Sequence, residues 1–241
     1  MALHMVEIHP DMIALHRFLQ VHGVAGREDD SEIGYGIHAW LGASFGELAP
    51  KPWRLFMDRR RPARILGYSE WSADTLQERI MTFADPSAAA VCGDPRQTIM
   101  SKSMPAIGAG RVFGFEVLCC PVARKADSGV EKDVFLVAAD SAPENTLNRE
   151  KVYCDWIASK LQDSGVAVSG IQLKSFRLVR QARQTQLKGS SRQFRQLRRP
   201  HAIFTGALTV TDPEAFWRVL KSGIGRHRSF GYGMLLLRPL P

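Results

Sequence analysis

The sequence has no run of 18 apolar residues and so offers no candidate membrane-spanning helix. Its opening stretch, MALHMVEIHPDMIAL, carries acids and lacks the basic segment, apolar core and small-residue cleavage site of a secretory leader, so a cytoplasmic protein without a membrane partner is expected. Cysteine is scarce. The four thiols, Cys92, Cys119, Cys120 and Cys154, form no CxxC pair and no His/Cys ligand spacing. That pattern points to reduced, structural thiols and argues against a metal site or a disulfide framework. Cys119 and Cys120 are adjacent in FGFEVLCCPV, where strand alternation would send them to opposite faces. No cofactor is expected, because Gly223-Ile224-Gly225 has no Lys-Ser/Thr after it and is not a nucleoside-triphosphate loop.

A second absence is local. From Lys174 to His201 the chain reads KSFRLVRQARQTQLKGSSRQFRQLRRPH, with nine basic residues and no acid. The 241 residues hold 32 Lys plus Arg against 24 Asp plus Glu, a formal charge of +8, so this one segment accounts for the excess and the remainder is close to neutral. A solvated face of alternating charge needs acids to pair with, and none are here. The segment therefore reads as a surface for the backbone of RNA or DNA, with an acidic protein partner as the alternative. Arg177, Arg180 and Arg183, then Arg192, Arg195 and Arg198 with Arg199, recur at helical spacing, and Leu178, Leu187, Phe194 and Leu197 interleave. This predicts an arginine-rich helical finger at about 180–200, capped by Ser190 or Ser191 and stopped by Pro200.

Elsewhere 45% of the residues are hydrophobic, enough to bury one large core or two small ones. Alternation predicts strands near 3–8, 53–57, 63–69, 111–121, 133–139, 166–179, 202–210 and 233–238. Helical periodicity falls near 10–21, 33–45, 73–83, 146–162 and 212–221, with Asp74 and Asn148 as expected N-caps. The order strand, helix, strand, strand occurs twice. An α+β fold of tandem ferredoxin-like (RRM-like) domains is expected, 1–95 and 96–241, divided by a turn-rich stretch from Asp85 to Gly110. Sheets of this kind can bind RNA through exposed aromatics, but RVFGFEVLCC (111–120) follows the RNP pattern only weakly and reads as a core strand.

The most specific passage is the tail, GALTVTDPEAFWRVLKSGIGRHRSFGYGMLLLRPLP (206–241). It runs strand, Asp-Pro helix start, helix, glycine-rich loop (223–233) and terminal strand, with Arg226, His227 and Arg228 at the crest of the loop. The stretch from Gly223 to Leu236 resembles the C-terminal signature of the CRISPR precursor-RNA processing endoribonucleases of the CasE subfamily. Arg149-Glu150, Tyr153 and Trp156-Ile157 followed by SFR (175–177) are similar to its central helix and next strand. IHAWLGASFG (37–46) with PWRLFMDR and PARILGYS is similar to its N-terminal helix and hairpin. Two departures stand out: an additional helix in residues 1–30, and a longer arginine-rich segment closer to the type IV relatives of the subfamily.

The resemblance implies a metal-independent endoribonuclease that binds the CRISPR repeat hairpin and remains in a Cascade-like complex with other subunits. A non-catalytic, repeat-binding subunit of the same assembly is the alternative. Cleavage without a metal needs a base for the ribose 2′-hydroxyl, an acid for the leaving 5′-oxygen and cations around the phosphorane, leaving 5′-hydroxyl and 2′,3′-cyclic phosphate ends. Tyr35 and His38 are three apart and share a helix face, and the resemblance singles out the same two positions. His16, in the extra helix, is the rival histidine, and a structural role is the alternative for either. Arg228 is expected at the scissile phosphate or the adjacent backbone, with His227 and Ser229 touching RNA. Arg226 with Arg180, Arg183, Lys188, Arg192, Arg195, Arg198 and Arg199 would grip the hairpin.

Overall fold

A computed structural model of the chain describes residues 2–24, 33–58, 60–124, 130–141, 147–184 and 194–240, excepting the side chains of 181–184 and 194–197. The chain divides into two compact units. The first takes Met1–Pro105, Arg180–Arg198 and Ser229–Gly231; the second takes Ala106–Val179, Arg199–Arg228 and Tyr232–Pro241.

In the first unit the elements follow as β1 (His4–Ile8), α1 (Met12–Val21), α2 (Ile33–Phe45), β2 (Trp53–Asp58), β3 (Arg61–Ser69), α3 (Ala73–Phe83), α4 (Pro86–Ala89), α5 (Pro95–Thr98) and β4 (Ile99–Ser103). The sheet order is β2-β3-β1-β4 and each neighbouring pair is antiparallel, with His4 opposite both Ser69 and Ser103. This is the ferredoxin-like arrangement. Val6, Ile8, Trp53, Ile65 and Ile99 on one face of the sheet share a core with Leu15 and Phe18 of α1, Ile37, Trp40 and Leu41 of α2, and Leu76 and Ile80 of α3. Asp11 starts α1 by accepting from the backbone N–H groups of Ile13 and Ala14.

The second unit repeats the pattern with β5 (Val112–Cys119), β6 (Val122–Arg124), β7 (Glu131–Asp133), α6 (Val134–Ala139), α7 (Arg149–Leu161), β8 (Val166–Gln184), β9 (Phe194–Val210), α8 (Pro213–Ser222) and β10 (Leu235–Arg238). Its four-stranded sheet runs β10-β5-β9-β8, and β6 pairs with β7 apart from it. Asn148 caps α7 and Asp212 caps α8, which has Pro213 in its first turn. The outer parts of β8 and β9, from 180 to 198, belong to the first unit.

Several elements differ from the sequence expectation, each for a physical reason. The arginine-rich finger is not helical where it is described: 180–184 continue β8 and 194–200 lie in β9, while Lys188, Ser190, Ser191 and Arg192 lie outside the described residues. Backbone pairing along a long ribbon leaves no trace in side-chain spacing, and the three-residue interval of the arginines mimics a helix while placing them on alternate faces of a strand. Residues 134–139 are helix rather than strand. VFLVAA is a short apolar run that periodicity cannot assign, and Asp133 decides it by accepting from the Phe135 N–H at 2.8 Å. Ser72, not Asp74, occupies the N-cap of α3. The stretch from Asp85 to Gly110 contains α4, α5 and β4. Because β4 pairs with β1, the first unit continues past residue 95 to Pro105.

Candidate functional site

Helix α2 buries Gly36, Ile37, Trp40, Leu41, Ser44 and Phe45 along one stripe, which leaves Tyr35 and His38 to the side of it. Phe230, from the 229–231 segment of the same unit, packs on both. Its ring centroid is 6.0 Å from that of Tyr35 in a tilted arrangement and 5.4 Å from that of His38 in an edge-on one. Two glycines permit this approach. A Cβ at Gly34 would stand 2.8 Å from the Phe230 carbonyl oxygen, and one at Gly231, where φ is +88°, would stand 2.8 Å from the Trp53 ring. The expected pair is thus brought together with residues 229–231 of the same unit. Sequence reasoning missed Phe230 as the contact, although it lies inside the loop already singled out.

His38 is exposed, and its pKa lies below the ordinary 6.5 because of partial burial first and the positive charge of Lys51 second. The imidazole is therefore neutral at neutral pH and has a lone pair for a proton. Lys51, in the turn before β2, carried no sequence signal. His16 is exposed on α1 and hydrogen-bonds to Gln20 of its own helix at 3.1 Å.

The basic crest of the loop is organised in the second unit around Glu131, at the start of β7. Its carboxylate is only 5% exposed and meets Arg199 at 2.9 Å, Arg226 Nε at 2.6 Å and His227 Nε2 at 2.9 Å. Arg199 also donates to the Glu131 backbone carbonyl at 3.1 Å. Burial raises the Glu131 pKa, but His227, Arg226 and Arg199 together outweigh that and hold it below the usual carboxylate value. Burial lowers the His227 pKa, and Glu131 only partly offsets it. Arg199 and His227, expected on the RNA-gripping surface, are instead committed to an interior cluster on Glu131, Arg199 as its ion-pair partner and His227 within hydrogen-bonding distance; their side chains are 8% and 9% exposed. The acid missing from the arginine-rich segment arrives from a distant strand, which no local window could reveal.

Arg226 is 44% exposed despite its pairing. Arg180 and Arg198 are exposed, Arg183 and Arg195 lie on the ribbon strands, and Lys188 and Arg192 fall outside the described residues. Arg228 donates to the Ser222 carbonyl at 2.6 Å, and Ser229 is half-buried. The α7 residues noted in the sequence have a packing role: Tyr153 donates to Asp133 Oδ2 at 2.8 Å, and the Arg149 guanidinium lies 3.8 Å over the Phe135 ring.

Residues 3–239 match the model of the family described as CRISPR associated protein. The chain belongs to that family. Among solved structures with the same fold, the CRISPR endoribonuclease Cse3 bound to a 19 nt RNA has 19% identity and a TM-score of 0.66, over 99% of this chain and 100% of that one. Cse3 of Thermus thermophilus, bound to an RNA representing a pre-cleavage complex, has 17% identity and a TM-score of 0.61, with 99% and 100% covered. A chain of a CRISPR RNA-guided surveillance complex, pre-nicking, has 16% identity and a TM-score of 0.57, with both chains covered in full at 100%. No curated protein matches this CRISPR-associated chain in sequence. Among its described residues no helix is long and apolar enough to cross a membrane.

Proposed function

We propose that this CRISPR-associated protein is an endoribonuclease that binds the repeat hairpin of the precursor RNA, cuts it without a metal ion and stays with the product as a subunit of a Cascade-like complex. The observation that carries this reading is the meeting of Tyr35 and His38 with Phe230. It is supported by the family, by the likeness to Cse3 bound to RNA and by the likeness to a surveillance-complex subunit. Neutral His38 takes the proton of the ribose 2′-hydroxyl, and the 2′-oxygen attacks the adjacent phosphorus. The bond to the 5′-oxygen breaks as that oxygen takes a proton from water, leaving 2′,3′-cyclic phosphate and 5′-hydroxyl ends, and protonated His38 returns its proton to solvent. Tyr35 orients the reacting groups by hydrogen bonding. Arg228, next in the chain to Ser229, offsets charge on the phosphate, and the exposed arginines of the β8–β9 ribbon hold the stem through its backbone. A cytoplasmic location goes with this substrate.

The test is cleavage of labelled repeat RNA in excess EDTA. His38→Ala should slow cutting by about a hundredfold or more while binding persists, and His16→Ala should cut like the parent protein. Repeat RNA with 2′-deoxyribose at the cut should bind and stay intact. Undiminished cutting by His38→Ala removes the assignment, and an intact repeat with the parent protein leaves only the non-catalytic subunit.

A further inference from the structure

The near-neutrality of the chain outside the arginine-rich segment conceals a second basic patch. MDRRRPAR (57–64) carries four arginines around a single acid at the β2–β3 turn. The ladder breaks there: Phe56 lies opposite Arg64 and Asp58 opposite Arg61, a register shift that absorbs Pro62, which has no N–H to donate. Asp58 Oδ1 accepts from the Arg60 N–H at 2.9 Å and closes the turn. The opened tip forms a cleft of about 530 Å³ lined by Phe56, Met57, Asp58, Arg60, Arg61, Pro62 and Arg64.

Its chemistry is both cationic and aromatic. Phe56 is on the sheet face opposite the core, with the guanidinium of Arg54 4.8 Å and that of Arg64 5.2 Å from its ring centre. Arg60 and Arg61 are exposed, and Met57 is 59% exposed beside them. Arg64 approaches Glu7 at 3.7 Å, so part of its charge is already answered within the sheet. An acidic peptide would satisfy the guanidinium groups but make no use of the ring and thioether. A single-stranded nucleic acid uses both, with phosphates on the arginines and an unstacked base on the Phe56–Arg surface.

We propose that the β2–β3 tip is a second RNA-contact surface, one that takes single-stranded RNA, with Arg60 and Arg61 on phosphates and Phe56 under a base. This deepens, and rests on, the reading of the chain as a binder of repeat RNA: a hairpin excised from a longer transcript carries such flanking strands.

The experiment titrates a fluorescent single-stranded oligouridylate and, separately, a blunt repeat hairpin against the full chain. Arg60→Ala with Arg61→Ala should weaken oligouridylate binding about tenfold and reduce the log–log salt slope by roughly 1.4, two phosphates at about 0.7 each. The blunt hairpin should lose less than the single strand does. Phe56→Leu should weaken oligouridylate binding while keeping the parent salt slope, and Arg60→Lys with Arg61→Lys should recover most of the affinity. Both arginines are exposed, and thermal melts of each variant check that it is folded. Oligouridylate binding equal in parent and double-alanine proteins overturns the proposal, as does an equal loss on the blunt hairpin, or a parent protein that binds polyglutamate at this tip and ignores oligouridylate. Failure of the repeat-processing reading looks different: the parent protein leaves the hairpin unbound and uncut while single-strand binding still depends on Arg60, Arg61 and Phe56.

Discussion

At the scale of single residues, Lys51 and His38 form an electrostatic pair of like sign, and the consequence is a pH profile. A positive charge disfavours the imidazolium, adding to the larger effect of burial, so the His38 pKa lies below 6.5. A base works only when deprotonated, and the acid limb of the cleavage rate should therefore lie below pH 6.5. Lys51→Ala removes the repulsion and should move that limb upward, so the variant loses more activity on mild acidification than the parent does. Single-turnover rates across pH measure this, and an unmoved limb would separate Lys51 from the imidazole. Tyr35 and His38 were legible in the sequence because their three-residue spacing is a property of one helix. Lys51 was not, since its effect depends on where the turn before β2 places it. Cys92 and Cys120 are buried, and that burial pushes both thiols up to about 12, far from the reactive thiolate range.

At the scale of elements, the β8–β9 ribbon turns a run of charge into a two-sided surface. On β8, Arg177 and Arg180 stand an odd number of residues apart, so alternation puts them on opposite faces, and both are exposed. A ribbon of this kind can follow the phosphates on both sides of a groove, whereas a helix would gather its arginines on one stripe. Arg180→Ala with Arg183→Ala should lower the affinity for the repeat hairpin. Each lost phosphate contact should flatten the dependence of log K on log salt by about 0.7–0.9, read from binding isotherms at several salt concentrations. An unchanged slope would show that these arginines do not touch the backbone. The charge of the segment was plain from composition; its secondary structure was not, because strand pairing is decided by a partner elsewhere in the chain.

At the scale of the whole molecule, Glu131 ties β7, β9 and the basic crest of the glycine-rich loop into one cluster of the second unit. Its folded pKa is depressed below 4.5, so the stability it contributes is present above the unfolded value and is lost as pH falls through the folded one. Glu131→Gln leaves Arg199 buried without a counter-charge, and a loss of about 3 kcal/mol at neutral pH is expected. Denaturant unfolding of both proteins at pH 7 and in mild acid checks this. The gap between them should narrow on acidification, and a gap that does not change with pH would show that ionisation of Glu131 is immaterial. The sequence by itself determined the two ferredoxin-like repeats, the helix caps at Asn148 and Asp212, and the face that Tyr35 shares with His38, because periodicity and capping act between near neighbours. Only the tertiary structure decided that Phe230 lies on α2, that Lys51 depresses the His38 pKa, that Glu131 withdraws Arg199 and His227 into the interior, and that 180–184 and 194–200 of the arginine-rich segment are strand. Each of these depends on residues separated in the chain and brought near by strand pairing and packing that no local pattern records.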